Sequence, residues 1–191
     1  MKDWDTYYKA HKSRGPREQV VRALGACKER ESALDLGAGT LVESAFLLEN
    51  DFKNVTAVDS SPQTKSFAES FDQQRFTLKI CSYQEFNFPK NYYDLINAQY
   101  ALPFYGKDGF EKFIEKIKLS LKPGGIFVGQ FFGVNDEWNA ADSKLAFQTK
   151  DEVLNMLSEL EMIEFNEEEK DGKTASGETK HWHVFHFITK K

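Results

Sequence analysis

The chain reads as an α/β fold: a doubly wound, mostly parallel sheet with helices on both faces. Three observations predict it. Short β-rich runs alternate with amphipathic stretches, and parallel strands need crossover helices of that kind. The first β-rich run ends in an acid, followed by Gly-x-Gly and a helical segment, in Ala33-Leu-Asp-Leu-Gly-Ala-Gly-Thr40. The second, Asn54-Val-Thr-Ala-Val-Asp59, also ends in an acid, 24 residues after Asp35. At 191 residues the chain suits one domain, and a domain of this size buries about 70% of the surface its unfolded chain exposes.

The elements follow in order. Residues 16–28 open with Pro16 at a first-turn position and place Val20, Val21 and Leu24 at helical spacing, which predicts a covering helix. Strands are predicted at 33–35, 54–59, 76–80 and 92–97, and helices at 41–50, 62–72, 107–122 and 149–160. Ser61-Pro62 opens the second of these helices as cap and first turn, and Thr149 before Asp151 and Glu152 opens the last. Met162-Ile-Glu-Phe-Asn166 and Val184-Phe-His-Phe-Ile188 read as a terminal hairpin whose strands are joined by a polar loop over 167–179, and the acidic run from Glu164 to Asp171 reads as a solvated strand end and loop. The organisation expected is a single domain over 1–191. Residues 1–28 form a cap and covering helix, 29–160 a nucleoside-binding core, and 161–191 the hairpin.

Composition narrows the function. A net charge of −5 repels phosphate backbones and argues against a nucleic-acid partner. Cys27 and Cys81 stand alone without metal-ligand spacing, so free thiols in a reducing cytoplasm are expected and no metal is. The amino terminus lacks the apolar core of a signal peptide and no run reaches membrane-spanning length, so no membrane association is expected.

The motifs narrow it further. Gly37 and Gly39 remove side chains where the backbone turns and a ligand approaches, and the following helix offers unpaired N–H groups. Asp59 is placed to accept hydrogen bonds from both hydroxyls of a ribose. A dinucleotide fingerprint would carry glycine at position 42, which is Val42 here, so a pyrophosphate is disfavoured.

With Leu121-Lys-Pro-Gly-Gly125 as a helix end, a turn and the start of a fifth strand, the chain resembles the class I S-adenosylmethionine-dependent methyltransferases over residues 15–191. Tyr100-Ala-Leu-Pro-Phe104 and Gly129-Gln-Phe-Phe-Gly133 are most similar to the small-molecule branch that includes the tellurite-resistance methyltransferases. The resemblance implies a Rossmann-like seven-stranded sheet, its sixth strand parallel to the rest and its seventh antiparallel. S-adenosylmethionine is the implied cofactor and S-adenosylhomocysteine its product. Asp35 would orient the loop formed by Gly37, Ala38 and Gly39 and meet the ammonium of the methionine part, directly or through water. Asp59 would hold the ribose, and the Ser60 backbone the adenine edge. Ser82 and Tyr83 would touch the adenine, with Ser82 replacing the family's usual acid. Asn97, Ala98 and Gln99 would lie beneath the transferable methyl. Leu41 replaces a frequent third glycine of the loop.

Enzymes that methylate base amino groups carry two prolines after strand four. Asn97-Ala-Gln-Tyr100 has none, so the acceptor expected is a small molecule, with a protein behind it. Tyr8, Tyr100 and Phe104 are candidate walls around the sulfonium cation. Arg14, with Arg17 beside it, is a candidate clamp for a carboxylate of the cofactor or of an acidic substrate. A thiolate, selenium or tellurium acceptor needs no base. An oxygen or amine acceptor would call on His181 or Tyr100 to take a proton. Strand alternation puts His181 and His183 on one face and His186 on the other, and the resemblance brings Lys180, His181 and Trp182 near the active face. Two rivals remain. A nicotinamide oxidoreductase is opposed by Val42 and the Lys-Pro-Gly-Gly turn, whereas a catalytically silent S-adenosylmethionine-binding regulatory module would keep the same acids and glycines.

Overall fold

A computed structural model describes residues 14–174 and 177–191; Tyr8 and the rest of residues 1–13 lie outside the described part. The predicted sheet is present. Its strands are β1 (Ser32–Leu36), β2 (Asn54–Asp59), β3 (Phe76–Ile80), β4 (Tyr93–Ala98), β5 (Leu121–Gly133), β6 (Phe147–Gln148), β7 (Glu161–Lys173) and β8 (Thr179–Lys190). The order is β3-β2-β1-β4-β5-β8-β7, with β6 added beside the end of β5. Strands β1 to β5 run parallel, whereas β8 lies antiparallel to both β5 and β7. β7 is therefore parallel to the core strands, as the resemblance implied for its sixth strand, and β8 is the antiparallel seventh.

Every residue of β1 and β4 is buried, the pattern of central parallel strands covered on both faces. One face carries the helices α1 (Glu18–Ala26) and α2 (Val42–Glu49) over Ala33, Val55, Leu95, Ile126 and Ile188. The other carries α3 (Phe110–Ser120) and α4 (Lys150–Leu157) over Leu34, Ile96, Phe127 and Phe187. Alternation along each strand supplies both cores, since Ala33 and Leu34, or Ile126 and Phe127, point to opposite sides. Thr149 caps α4 in a reciprocal box with Glu152, as its position before two acids predicts.

From β1 the chain steps outward to β2 and β3, then returns to lay β4 on the other side of β1. Crossovers thus diverge at β1 and β4, leaving a crevice outside their carboxyl ends, where ligands bind in such sheets. Asp35, Asp59 and Asn97 all sit at that edge.

Three local expectations are corrected. Residues 62–72 do not form an α-helix: a 3-10 turn covers Pro62–Phe67. Asp72 then closes a second turn, its side chain accepting from Gln74 N–H and its carbonyl from Phe76 N–H, and such side chains compete with helical hydrogen bonding. The hairpin strands are much longer than predicted, and the acidic run is strand rather than loop. Cross-strand partners override its low β-propensity: Asp171 lies opposite His181 and Glu169 opposite His183. Strand β6 was not foreseen, being two residues long.

At the sheet's ligand end the chain 134–148 is pinned to β8 by Lys180. Its ammonium lies 3.8 Å from the ring centres of both Trp138 and Trp182 and pairs with the buried Asp136 carboxylate. Burial lowers the Lys180 pKa against the raising pull of Asp136.

Candidate active site

The turn after β1 is built from left-handed residues. Gly37 has φ 67°, Gly39 φ 51° and Leu41 φ 61°, so Leu41 adopts without glycine the conformation that the missing third glycine would favour. Gly37 and Ala38 donate their N–H groups to the Val58 carbonyl at 2.8 and 3.2 Å, fastening the turn to β2. A Cβ at Gly37 would stand 2.6 Å from both the Ala101 methyl and the Tyr83 hydroxyl. Close packing therefore forbids a side chain there as firmly as backbone conformation does.

Asp35 lies under this turn, 2% exposed. One carboxylate oxygen accepts from Ser44 Oγ at 2.6 Å and the other from Asn97 Nδ2 at 2.8 Å. Burial and then the nearby Glu43 push its carboxyl up to about 7, against the two hydrogen bonds and Arg14. The folded chain thus holds this proton more tightly than the unfolded one does. Asp35 contributes most to stability below its unfolded value of about 4, and that contribution is lost as the pH rises through the folded value. Asp35→Asn does not titrate, so its stability relative to wild type should rise between about pH 5 and pH 8. Denaturant unfolding at those two pH values checks this; a variant-minus-wild-type stability difference that stays constant or falls with pH contradicts it.

Asp59, at the end of β2, is only partly buried. One oxygen accepts from Gly39 N–H and the other from Ser61 N–H, each at 2.8 Å. Desolvation raises its pKa and these two donors lower it. A carboxylate has about four acceptor sites, so two remain beyond those the backbone takes. Ser60 beside it is exposed. Ser82 turns its hydroxyl into its own loop, donating to Glu85 at 2.8 Å. Tyr83 stacks on Phe113 with ring centres 5.5 Å apart.

Beyond β4 the structure reveals a chain of buried amides. Asn97 Oδ1 accepts from Gln99 Nε2 at 2.9 Å, and Gln99 Oε1 accepts from Gln130 Nε2 at 2.9 Å. Gln130 Nε2 also donates to Gln19 Oε1, and Gln19 Nε2 donates to the Phe187 carbonyl at 3.1 Å. Gln130 Oε1 accepts the Tyr100 N–H at 2.6 Å, holding a residue whose φ of 54° is left-handed. Asp35, Asn97 and Gln99 were expected at the site; Gln19 and Gln130 were not. The one signal for Gln130 is a polar residue inside the apolar run of β5.

Gln19, Gln99, Tyr100 and Gln130 wall one side of a cleft of about 540 Å³, opposite His186, Asn166 and Glu168 of the hairpin. The Arg17 guanidinium, also on its wall, lies 4.5 Å from the centre of the Tyr100 ring.

Other expected residues stand elsewhere. Arg14 is committed to Glu43 through two hydrogen bonds of 2.5 and 2.6 Å, so the expected carboxylate clamp grips the chain's own α2. Phe104 packs beside Phe132, centres 6.5 Å apart. His181 is on the hairpin face away from Tyr100, bonded to Asp171 at 2.8 Å and Glu169 at 3.2 Å, and both acids raise its pKa. Strand alternation has the opposite effect on His186, which faces Tyr100 with ring centres 6.2 Å apart and whose pKa is lowered by burial. The histidine facing the cleft is thus His186, not His181. Among the described residues no group of three His, Cys, Asp or Glu side chains is placed to hold a metal.

Residues 34–129 match the methyltransferase domain family, a span covering half of the chain. The chain belongs to that family. This methyltransferase domain is 32% identical over 116 residues to N-terminal Xaa-Pro-Lys N-methyltransferase 1-A of Xenopus laevis, a match covering 58% of this chain and 52% of the relative. The chain thus spans about half the length of the curated relative it matches. Among solved structures, TehB from Haemophilus influenzae superposes with a TM-score of 0.78 at 18% identity, covering 100% of this chain and 67% of TehB. The 1,6-didemethyltoxoflavin-N1-methyltransferase of Burkholderia thailandensis, solved with 1,6-didemethyltoxoflavin and S-adenosylhomocysteine, gives 0.68 at 18% identity over 92% of this chain and 77% of the enzyme. These two likenesses carry the fold of the methyltransferase domain.

Proposed function

We propose that the chain transfers the methyl group of S-adenosylmethionine to a small-molecule acceptor by direct in-line displacement, with no covalent enzyme intermediate. One observation carries the reading: Asp35 and Asp59 end adjacent strands on either side of a left-handed glycine turn, and an open cleft begins where Asp35's hydrogen-bond chain ends. The donor set fits the cofactor. Asp59 keeps two acceptor sites for a ribose, and Gly37, half-buried in the turn, carries no side chain. Ser60 and the turn at Ser82 and Tyr83 would flank the adenine. Asp35, buried with both oxygens occupied, acts by fixing Asn97 and the turn. The sulfonium supplies an already activated methyl group.

The protein's own part is alignment and exclusion of water. Effective molarities of about 10⁵ to 10⁸ M are available from orientation alone. Gln99 and Ala98 lie at the end of β4, where the cleft meets the turn. An amine or oxygen acceptor must lose a proton. His186 is the group suited to take it, because burial keeps it neutral near pH 7, whereas the acids around His181 favour its charged form. A thiolate, selenium or tellurium acceptor needs no such help. The likeness to the Xenopus N-terminal Xaa-Pro-Lys N-methyltransferase favours a second reading, a peptide amino terminus as acceptor.

The test supplies S-adenosylmethionine with separate panels of thiols, selenium and tellurium oxyanions, small carboxylic acids, amines and short peptides, and measures S-adenosylhomocysteine. Turnover with a small molecule supports the proposal, and turnover with peptides alone transfers it to the second reading. Cofactor binding without turnover on any panel would favour the silent regulatory module.

A further inference from the structure

We infer that the acceptor is an organic molecule carrying a carboxylate and that Arg17 receives this group. The inference rests on the methyltransferase reading and names the substrate class of the same cleft. Its starting point is an unmatched donor. Arg17 Nε is buried and meets no hydrogen-bond acceptor, and among the described residues its guanidinium forms no ion pair. A buried donor without an acceptor is costly, and on the wall of a cleft it points to a ligand that accepts from it.

The other charges around the cleft are already matched. Arg22 grips Glu164 through two hydrogen bonds of 2.8 and 2.7 Å, and Glu168 accepts from Lys170 at 2.8 Å. Arg14 is held by Glu43. The acids of the hairpin therefore do not neutralise Arg17, and an incoming anion finds them compensated. Its position over the Tyr100 ring, 4.5 Å from the centre, restrains the guanidinium, so less freedom is lost when its fork meets a planar two-oxygen group.

Size decides between an organic acid and a bare oxyanion. A water molecule occupies about 30 Å³, and an inorganic oxyanion only a few times that, against a cleft of about 540 Å³, which lies in the range of organic-ligand sites. The rings of Tyr100 and His186, nearly perpendicular at 82°, offer apolar walls beyond the carboxylate, while Gln99 and Asn166 offer amides.

Benzoate and its neutral isostere benzamide probe this by calorimetry on protein saturated with S-adenosylhomocysteine, with selenite as the inorganic control. Wild type should bind benzoate at least about tenfold more tightly than benzamide or selenite. Arg17→Gln should lower benzoate to the benzamide level while leaving S-adenosylhomocysteine affinity and melting temperature in place, and Arg17→Lys should restore part of the preference. Equal binding of benzoate and benzamide, a preference that survives Arg17→Gln, or selenite binding as tightly as benzoate overturns the inference. If S-adenosylhomocysteine itself does not bind wild type, the methyltransferase reading falls, and this inference with it. If it binds and the carboxylate preference is absent, only this inference falls.

Discussion

Asp59→Ala is expected to weaken S-adenosylhomocysteine binding by about 10² to 10⁴-fold. The reasoning is additive: two ribose hydroxyls donating to a carboxylate contribute about 1.5–3 kcal/mol each, and each 1.4 kcal/mol is tenfold in affinity. The variant also loses the acceptor for Gly39 N–H and Ser61 N–H, so the turn itself loosens. Calorimetric titration reads the affinity and thermal melting separates it from unfolding. Asp59→Asn, which keeps one oxygen in place, provides an intermediate should the alanine variant melt too early. Binding within threefold of wild type would remove Asp59 from the cofactor site and, with it, the main support for the nucleoside pocket.

Gln130→Leu should destabilise the fold by about 3–5 kcal/mol. The side chain is 1% exposed and serves three partners: the Gln19 and Gln99 carbonyls and the Tyr100 N–H. Each buried group left unpaired costs about 1–3 kcal/mol, with some recovered as water enters from the cleft. A loss of this size would unfold much of a marginally stable domain. Urea unfolding measures it, and a loss below about 1 kcal/mol would show that the amide chain relaxes freely. Because Gln130 also holds Tyr100 in its left-handed conformation, surviving folded protein should bind cofactor more nearly normally than it binds anything in the cleft.

Much of the fold was legible because its cues are local. Gly37 and Gly39 after an acid and Thr149 before two acids each specify backbone within a few residues, whereas Pro16 precedes the Arg17 cap of a helix that begins at Glu18 instead of standing in its first turn. Asp35 and Asp59 were legible for the same reason, as strand-terminal acids in register. What escaped depends on partners distant in sequence. Gln130 and Gln19 are separated by 111 residues, and neither residue type in isolation signals a buried pair. Arg14 was expected at a ligand because nothing nearby in sequence identifies Glu43 as its partner. The choice of His186 over His181 depends on which face of β8 meets Tyr100, and alternation separates the two residues without saying which side is which. The acidic stretch in β7 read as strand end and loop because its strand character comes from the histidines and apolar residues paired with it across the hairpin, not from its own propensity.

That stretch has a further effect at the margin of the sheet. β7 lies at one edge of the sheet, and among the described residues its far side leaves a row of backbone donors and acceptors to which a foreign strand would naturally attach. Glu161, Glu164, Glu167, Glu168, Glu169 and Asp171 lie along it. A foreign strand pairing there would have to desolvate this charged row together with its lysine and arginine partners, so the groups that hold the hairpin also guard the sheet against templated self-association.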